Sequence, residues 1–500
     1  MRLYAPETAP LPLPAQRSAT WPAALTPALL TVPGTEAALA QLQRPGALVV
    51  TTGQQPGLFT GPAYTVHKAL AAAALAEQLA RRWDRPVVAL FWLAGDDHDF
   101  AEASTVSWLD TAGAPVEWHL DPRDGAAPQR SMARETLPMD VLSGLRTLEQ
   151  TLPAGPDRDE TLAWLRRHYR PGETLQQAFA GAIAELLAPF GVLCLDPTHI
   201  AFKRAQLPLL ARALEQAEQL DAALAAVPDP GTGIPTGEGA TLVFHEDDEG
   251  RDRLLVEAGG FRGRRSGVRF TTADIGAALE AHPERWSANV LLRPVVEAAL
   301  LPTVAYVAGP GEYRYLTRQA AVLYPLLGIE AQRPIRRWSG TLVEPWADRL
   351  LGRLGLSLET LLEDDGTVGR DILRRDLPPA APAALTDLRT QVAATGAALT
   401  EAGRSIDAVL DRAIANRQRR LEQVIDDLEQ LLERHLRRRG DIAYAQYRRL
   451  RGALRPRGAP QERILSAPSF LARHGPAWLQ AVRDAAGIWA ARLEPSPGAD

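Results

Sequence analysis

Four stretches of the chain are continuously apolar rather than alternating or helically striped: residues 47–52 (ALVVTT), 86–94 (PVVALFWLA), 191–195 (GVLCL) and 303–308 (TVAYVA). Each is short, rich in β-branched or aromatic residues and bounded by Gly or Pro, the pattern of a strand buried inside a sheet. Between the first two lies a Gly-rich turn, residues 53–62, in which Thr60 and Pro62 suit a helix start. An Ala- and Leu-rich segment, 63–83, follows without a breaker until Arg85-Pro86. This predicts a β–α–β unit with parallel strands, and the turns that leave those strands share one edge of the sheet. In open α/β sheets that edge holds the ligand.

The same strand, Gly-rich turn and helix recur later, with strand 303–308, the turn Gly309-Pro310-Gly311-Glu312 and a helix over 313–327. If the two units are neighbours, two helix N-termini and the acids after Ala94 converge on one crevice. Other patterning interrupts this core. Residues 105–139 alternate in short pieces such as VEWHL and predict a small β-rich excursion, and 141–187 are helical with breaks at Pro153 and Pro171. TLVFHE and RLLVEAG flank the polar turn Asp247-Asp248-Glu249-Gly250, a hairpin signal. The organisation expected is a core over 1–340 with insertions at 105–185 and 225–285, a bridge over 341–380, helices over 381–452 interrupted near Gly440, and a segment 453–500 that folds back. Residues 1–45 form a Pro-rich arm with one short helix, 35–42. Val392, Leu399 and Ile406 recur at seven, and Leu421, Val424, Leu428 and Leu431 continue an apolar seam among Arg and Glu, which predicts a helical hairpin or coiled coil that packs or dimerises.

Bulk properties narrow the class. A net charge of -5 over 500 residues argues against a nucleic-acid protein. The single cysteine, Cys194, sits in an apolar run, which makes it a buried structural thiol and fits a reducing cytoplasmic compartment. No stretch has the length of a membrane span or the pattern of a signal peptide. Lysine occurs only at Lys68 and Lys203 in a chain full of arginine, and asparagine only at Asn289 and Asn416. Lys68 and Asn289 both fall in the densest motifs, where a compact ammonium is not equivalent to a guanidinium.

The turn 53–62 is neither a G-x-G-x-x-G fingerprint nor a G-x-x-x-x-G-K-[ST] loop, so neither NAD nor ordinary P-loop chemistry is licensed. What remains is a helix N-terminus suited to a phosphate or carboxylate. An ammonium, a guanidinium and several carboxylates in one place suit ionic substrates.

TTGQQPGLFTGPAYTVHK, FWLAGDDHDF, SANVLLRPVVEAALLPTVAYVAGPGEYRY and GAPQERIL together resemble the bacillithiol-biosynthesis cysteine-adding enzyme family (BshC), in the same order across nearly the whole chain. Two departures are visible. The family pattern has GEDHD where this chain has Gly95-Asp96-Asp97-His98-Asp99, which shortens the side chain at Asp96, and a Leu where Pro460 stands.

The resemblance implies an α/β fold: a Rossmann-like parallel-sheet core, similar to nucleotidylyltransferases, with two inserted connecting-peptide subdomains and a C-terminal antiparallel coiled coil that makes a homodimer. It implies a ligase that adds L-cysteine to the amino group of glucosaminyl-malate, forming bacillithiol through an amide bond. Activating the cysteine carboxylate calls for ATP, taken with Mg²⁺. On that reading Lys68, Arg293 and the turn N–H groups from Gly57 to Gly61 hold anions. Asp96, Asp97 and Asp99 hold the amino group or Mg²⁺, and His67 or His98 is the base. Gln54, Gln55, Thr60, Tyr64, Asn289, Gly309, Gly311, Glu312 and Tyr313 complete the expected substrate contacts. Two other classes fit the same pattern: another adenylate-forming or nucleotidyl-transferring enzyme, and a dimeric scaffold without catalysis.

Overall fold

The computed structural model describes residues 1–6, 10–123, 127–229, 231–237, 239–375, 377–407, 409–438 and 442–494. The chain divides into two compact units. The larger comprises Arg2–Thr111, Pro115–Leu342 and the chain from Glu462 onward.

Its elements, in chain order, are β1 (Leu29–Leu30), β2 (Leu48–Gln54), α1 (Tyr64–Trp83), β3 (Val87–Leu93), β4 (Val192–Leu195), α2 (Ile200–Glu215), β5 (Ala240–Asp247), β6 (Gly250–Glu257), β7 (Gly260–Gly263), β8 (Arg269–Thr271), β9 (Trp286–Ala288), α3 (Arg293–Leu300), β10 (Thr303–Ala308), α4 (Pro310–Thr317) and β11 (Arg333–Arg336). The core sheet has the order β11-β10-β2-β3-β4-β1. All its neighbours run parallel except β1, which is antiparallel to β4. Every residue of β3, β4 and β10 is buried, as in a sheet covered on both faces, and this is why these strands read as unbroken apolar runs. Cys194 belongs to this core, where burial pushes its thiol up to about 12. The chain winds from β2 through β3 to β4, then returns to the other side of β2 with β10 and β11. Strand order therefore reverses between β2 and β10, and the carboxyl ends of these two neighbours flank the crevice characteristic of such folds.

Helix α1 begins at Tyr64, close to the predicted start, but not through the predicted cap. Thr60 has φ 75° and its hydroxyl donates to the Phe59 carbonyl at 2.6 Å, so it serves a tight left-handed corner and not the helix. The inserted hairpin is present as β5 and β6, with Asp247 paired to Gly250. It lies in a five-stranded antiparallel sheet, β8-β7-β6-β5-β9. The 105–139 excursion contains the antiparallel pair Thr105–Leu109 and Pro115–His119.

The smaller unit contains Val343–Gln461. The expected bridge is itself helical here: Pro345–Leu354 ends at Gly355 in the left-handed region, and Ser357 caps Leu358–Glu363. Beyond them run α5 (Ala380–Arg404) and α6 (Leu410–Arg438). Arg389 reaches Asp426 and Glu429, while Arg404 reaches Asp411, so the two helices are antiparallel. The close approach is made at Gly396 and Gly403, where an added Cβ would meet Gln418 and Ile414. The predicted seam does not close this hairpin: Leu399, Leu421, Val424 and Leu428 are 43–54% exposed. The predicted break near Gly440 lies outside the described residues; the turn between α5 and α6 was not foreseen. No helix among the described residues is long and apolar enough to cross a membrane.

Candidate active site

At the carboxyl ends of β2 and β10 the chain encloses a crevice of about 720 Å³. Lys68, one turn into α1, forms its floor and is 1% exposed. Its Nζ donates to Gly53 O, to Gln54 Oε1 at 3.4 Å and to Glu312 Oε2 at 2.7 Å. An ammonium has three protons, so this one is fully used within the protein. Lys68 lines the crevice but is not free to hold an anion; it ties the end of β2 to the start of α4. Glu312 also accepts from Gly309 N–H at 2.7 Å and Tyr306 OH at 2.8 Å. Burial pushes the Glu312 carboxyl up, but Lys68 and these donors outweigh it and hold it below the usual carboxylate range. Glu312 thereby occupies the N-terminus of α4.

Arg293 starts α3 and lines the same crevice. Its Nη1 donates to Glu297 Oε2 at 2.7 Å, and its guanidinium stacks over Trp92 and Tyr306. Asn289 lines the crevice and spends its Oδ1 on the N–H groups of Leu291 and Leu292.

The acidic turn after β3 separates into distinct environments. Asp96 Oδ1 accepts from Lys203 Nζ at 2.6 Å, and Lys203 also donates to Trp286 O at 2.9 Å. Asp97 Oδ1 accepts the N–H groups of His98 and Asp99. Asp99 caps a short helix through Glu102 N–H and faces a neighbouring cavity. The three aspartates therefore do not converge on one ion, and among the described residues no group of three His, Cys, Asp or Glu is placed to hold a metal. His98 Nδ1 lies 2.9 Å from Arg251 Nη1. Glu102 lines the crevice on an otherwise exposed helical turn, and partial desolvation, with Asp99 and Asp97 nearby, raises its pKa.

Gln54, Gln55, Tyr64, Gly309 and Gly311, expected as substrate contacts, line the crevice. Gly57, Thr60, Gly61 and Tyr313 do not. Tyr169 OH donates to Gly57 O and accepts from Thr60 N–H, while Gly61 N–H donates to Leu58 O, so the Gly-rich corner is sealed by the protein itself. Tyr313 stacks under Arg336. His67 points away from the crevice: its Nδ1 bonds Glu462 Oε2 at 2.7 Å, between Trp338 and Trp478. Glu462 also accepts from Arg337 Nη2 and Ser339 Oγ, each at 2.5 Å.

Arg251, Arg253, Arg314, Arg337, Arg463 and Glu102 line the crevice without having been predicted as site residues. The arginines carried no signal in a chain crowded with them. Lys203 stood out in the sequence only as one of two lysines, a rarity that could have paired it with the acidic turn.

Residues 27–330 match "Bacillithiol biosynthesis BshC, N-terminal Rossmann-like domain", and residues 340–487 match "Bacillithiol biosynthesis BshC, C-terminal coiled-coil domain". The chain belongs to the BshC family. A protein of Solibacter usitatus named "Putative cysteine ligase BshC" is 32% identical over 461 residues, covering 91% of this chain and 85% of the relative. Proteins of the same name from Salinibacter ruber (30% over 452 residues, 89% of this chain and 82% of the relative) and Symbiobacterium thermophilum (31% over 459 residues, 87% and 81%) are similarly related. The crevice of this BshC-family chain draws on both matched segments, because Arg463 falls in the second and most other lining residues in the first.

Proposed function

We propose that this chain is a cysteine ligase of bacillithiol synthesis, joining the carboxyl group of L-cysteine to the amino group of glucosaminyl-malate. The observation that carries the reading is the charge layout at the strand-order reversal. Asp97 and Glu102 face the crevice, and so do Arg253, Arg314 and Arg463, none of which forms a salt bridge to a described residue. Unpaired guanidiniums suit phosphate or carboxylate oxygens, and the carboxylates suit an amine. ATP with Mg²⁺ would turn one cysteine carboxylate oxygen into a leaving group, its phosphates held by those three arginines. The sugar amine then forms the C–N bond as the C–O bond to that leaving group breaks, and the amine proton passes to Glu102. Glu102 is the base because its raised pKa favours accepting a proton, whereas His67 lies outside the crevice and His98 Nδ1 is already engaged.

The protein works as a homodimer through α5 and α6. Leu421, Val424, Leu428 and Leu431 stand at helical spacing on α6 and are exposed, an apolar stripe suited to a second hairpin. Two of these positions test the packing: Leu421→Glu with Leu428→Glu gives a monomer in analytical ultracentrifugation with unchanged helix content.

The activity test is turnover with purified protein, cysteine, glucosaminyl-malate and Mg-ATP, followed by mass spectrometry of the thiol and of the nucleotide. Thiol product with AMP supports adenylation, and with ADP an acyl phosphate. No product from folded protein that binds the sugar overturns the reading.

A further inference from the structure

The crevice holds one imidazole, His98, half-buried with its two ring nitrogens in different surroundings. Nδ1 lies 2.9 Å from Arg251 Nη1. A guanidinium has five N–H donors and no acceptor, so Nδ1 must be the nitrogen with the lone pair, and in a neutral ring the proton then sits on Nε2. Nε2 makes no hydrogen bond to a described residue.

Arg251 is anchored for this contact. It comes from β6 in the inserted sheet, with Nε donating to Ser287 Oγ at 3.1 Å and Nη2 to Ala288 O at 3.1 Å. Its guanidinium lies 3.9 Å over the Phe244 ring, and the residue is only 6% exposed. With two nitrogens and one face fixed, Nη1 is aimed at His98 without rotamer freedom. The charged groups facing the imidazole are Arg251 and Arg265 from the inserted sheet and Asp97 and Asp99 from its own turn. Burial, followed by Arg251, outweighs the aspartates and lowers its pKa to about 4.

We propose that His98 serves as a neutral hydrogen-bond donor through Nε2–H, aimed at a carbonyl or phosphoryl oxygen of the substrate, and that Arg251 is the positioning residue that enforces this tautomer. A base at His98 would have to break the Arg251 bond and place an imidazolium against a guanidinium. A donor keeps the bond and meets the oxygen on which negative charge grows as the amine adds. The catalytic role rests on the amide-forming reading above; the tautomer does not.

Nitrogen-15 NMR of histidine-labelled full-length protein at neutral pH, with the His98 signals assigned by their loss in His98→Gln, tests the tautomer in the unmodified molecule. The expected result is a bare Nδ1 and a protonated Nε2; a proton on Nδ1, or a mixture, overturns the proposal. Arg251→Met should scramble the tautomer and Arg251→Lys should restore it. In the ligase assay, His98→Ala lowers kcat on the order of 100-fold. His98→Gln, whose amide donates but cannot take a proton at this pH, stays within about tenfold of wild type if one donor is what matters. Equal losses in Ala and Gln variants, with the Nε2–H tautomer confirmed, overturn the donor role. Absence of turnover in wild type alongside the expected tautomer would instead count against the ligase reading.

Discussion

Glu102 is where the chemistry and the electrostatics of single residues meet. Its carboxyl, on a residue that keeps an exposed side, is raised by partial desolvation and by Asp99 and Asp97, so the acid limb of kcat/KM should lie above the ordinary glutamate range. Below that limb the base is protonated and the rate falls. Glu102→Gln should abolish the limb and lower kcat by roughly 10²- to 10⁴-fold. Lys68 and Glu312 give a stability test of the same kind. Lys68→Met leaves the half-buried Glu312 carboxylate without its ammonium and should cost about 3 kcal/mol in urea unfolding. Lys68→Met with Glu312→Gln should cost clearly less than the sum of the two single changes, since each removes the other's unpaired charge. The cluster Asp96-Asp97-His98-Asp99 was legible because its members are adjacent in sequence. Their separate roles were not, because those of Asp96 and His98 are decided by partners from distant segments, Lys203 and Arg251.

At the scale of elements, β2 and β10 were legible as unbroken apolar runs because both faces of the core sheet are covered. Their adjacency, which creates the crevice, is a pairing that no local pattern encodes. The Gly-rich corner shows the limit of reading glycine as a ligand signal. Gly53 is required by its neighbour, since a Cβ there would lie 2.8 Å from both the Cβ and the carbonyl oxygen of Trp92. Gly53→Ala should therefore destabilise by about 1–3 kcal/mol, measured by denaturant midpoint, even though the backbone dihedral permits it. In α5 and α6 the heptad signal was legible, but not that it lies outside the contact between the two helices. The small residues Gly396 and Gly403 close the hairpin, and the larger apolar ones are left outside.

Across the whole molecule, the return of the chain after Glu462 to the larger unit was legible, but the partners it meets there, His67 and Arg337, were not. Glu462 is buried, which pushes its carboxyl up, yet His67 and Arg337 more than reverse this and hold it well below the usual range. In the unfolded chain a glutamate titrates near about 4.3, so the stability from this group is present above that pH and is lost as pH falls below it. Urea midpoints should drop between about pH 5 and about pH 3 in wild type, and Glu462→Gln, less stable at neutral pH, should show a shallower drop. The bond from His67 to Glu462 joins positions 395 apart. At about 5–20 residues per second, ribosomes take roughly 20–80 s to make the intervening chain. A nascent chain therefore carries most of its crevice before Arg463 and the carboxylate that anchors Arg337 have been made, and the crevice is completed only when both arrive.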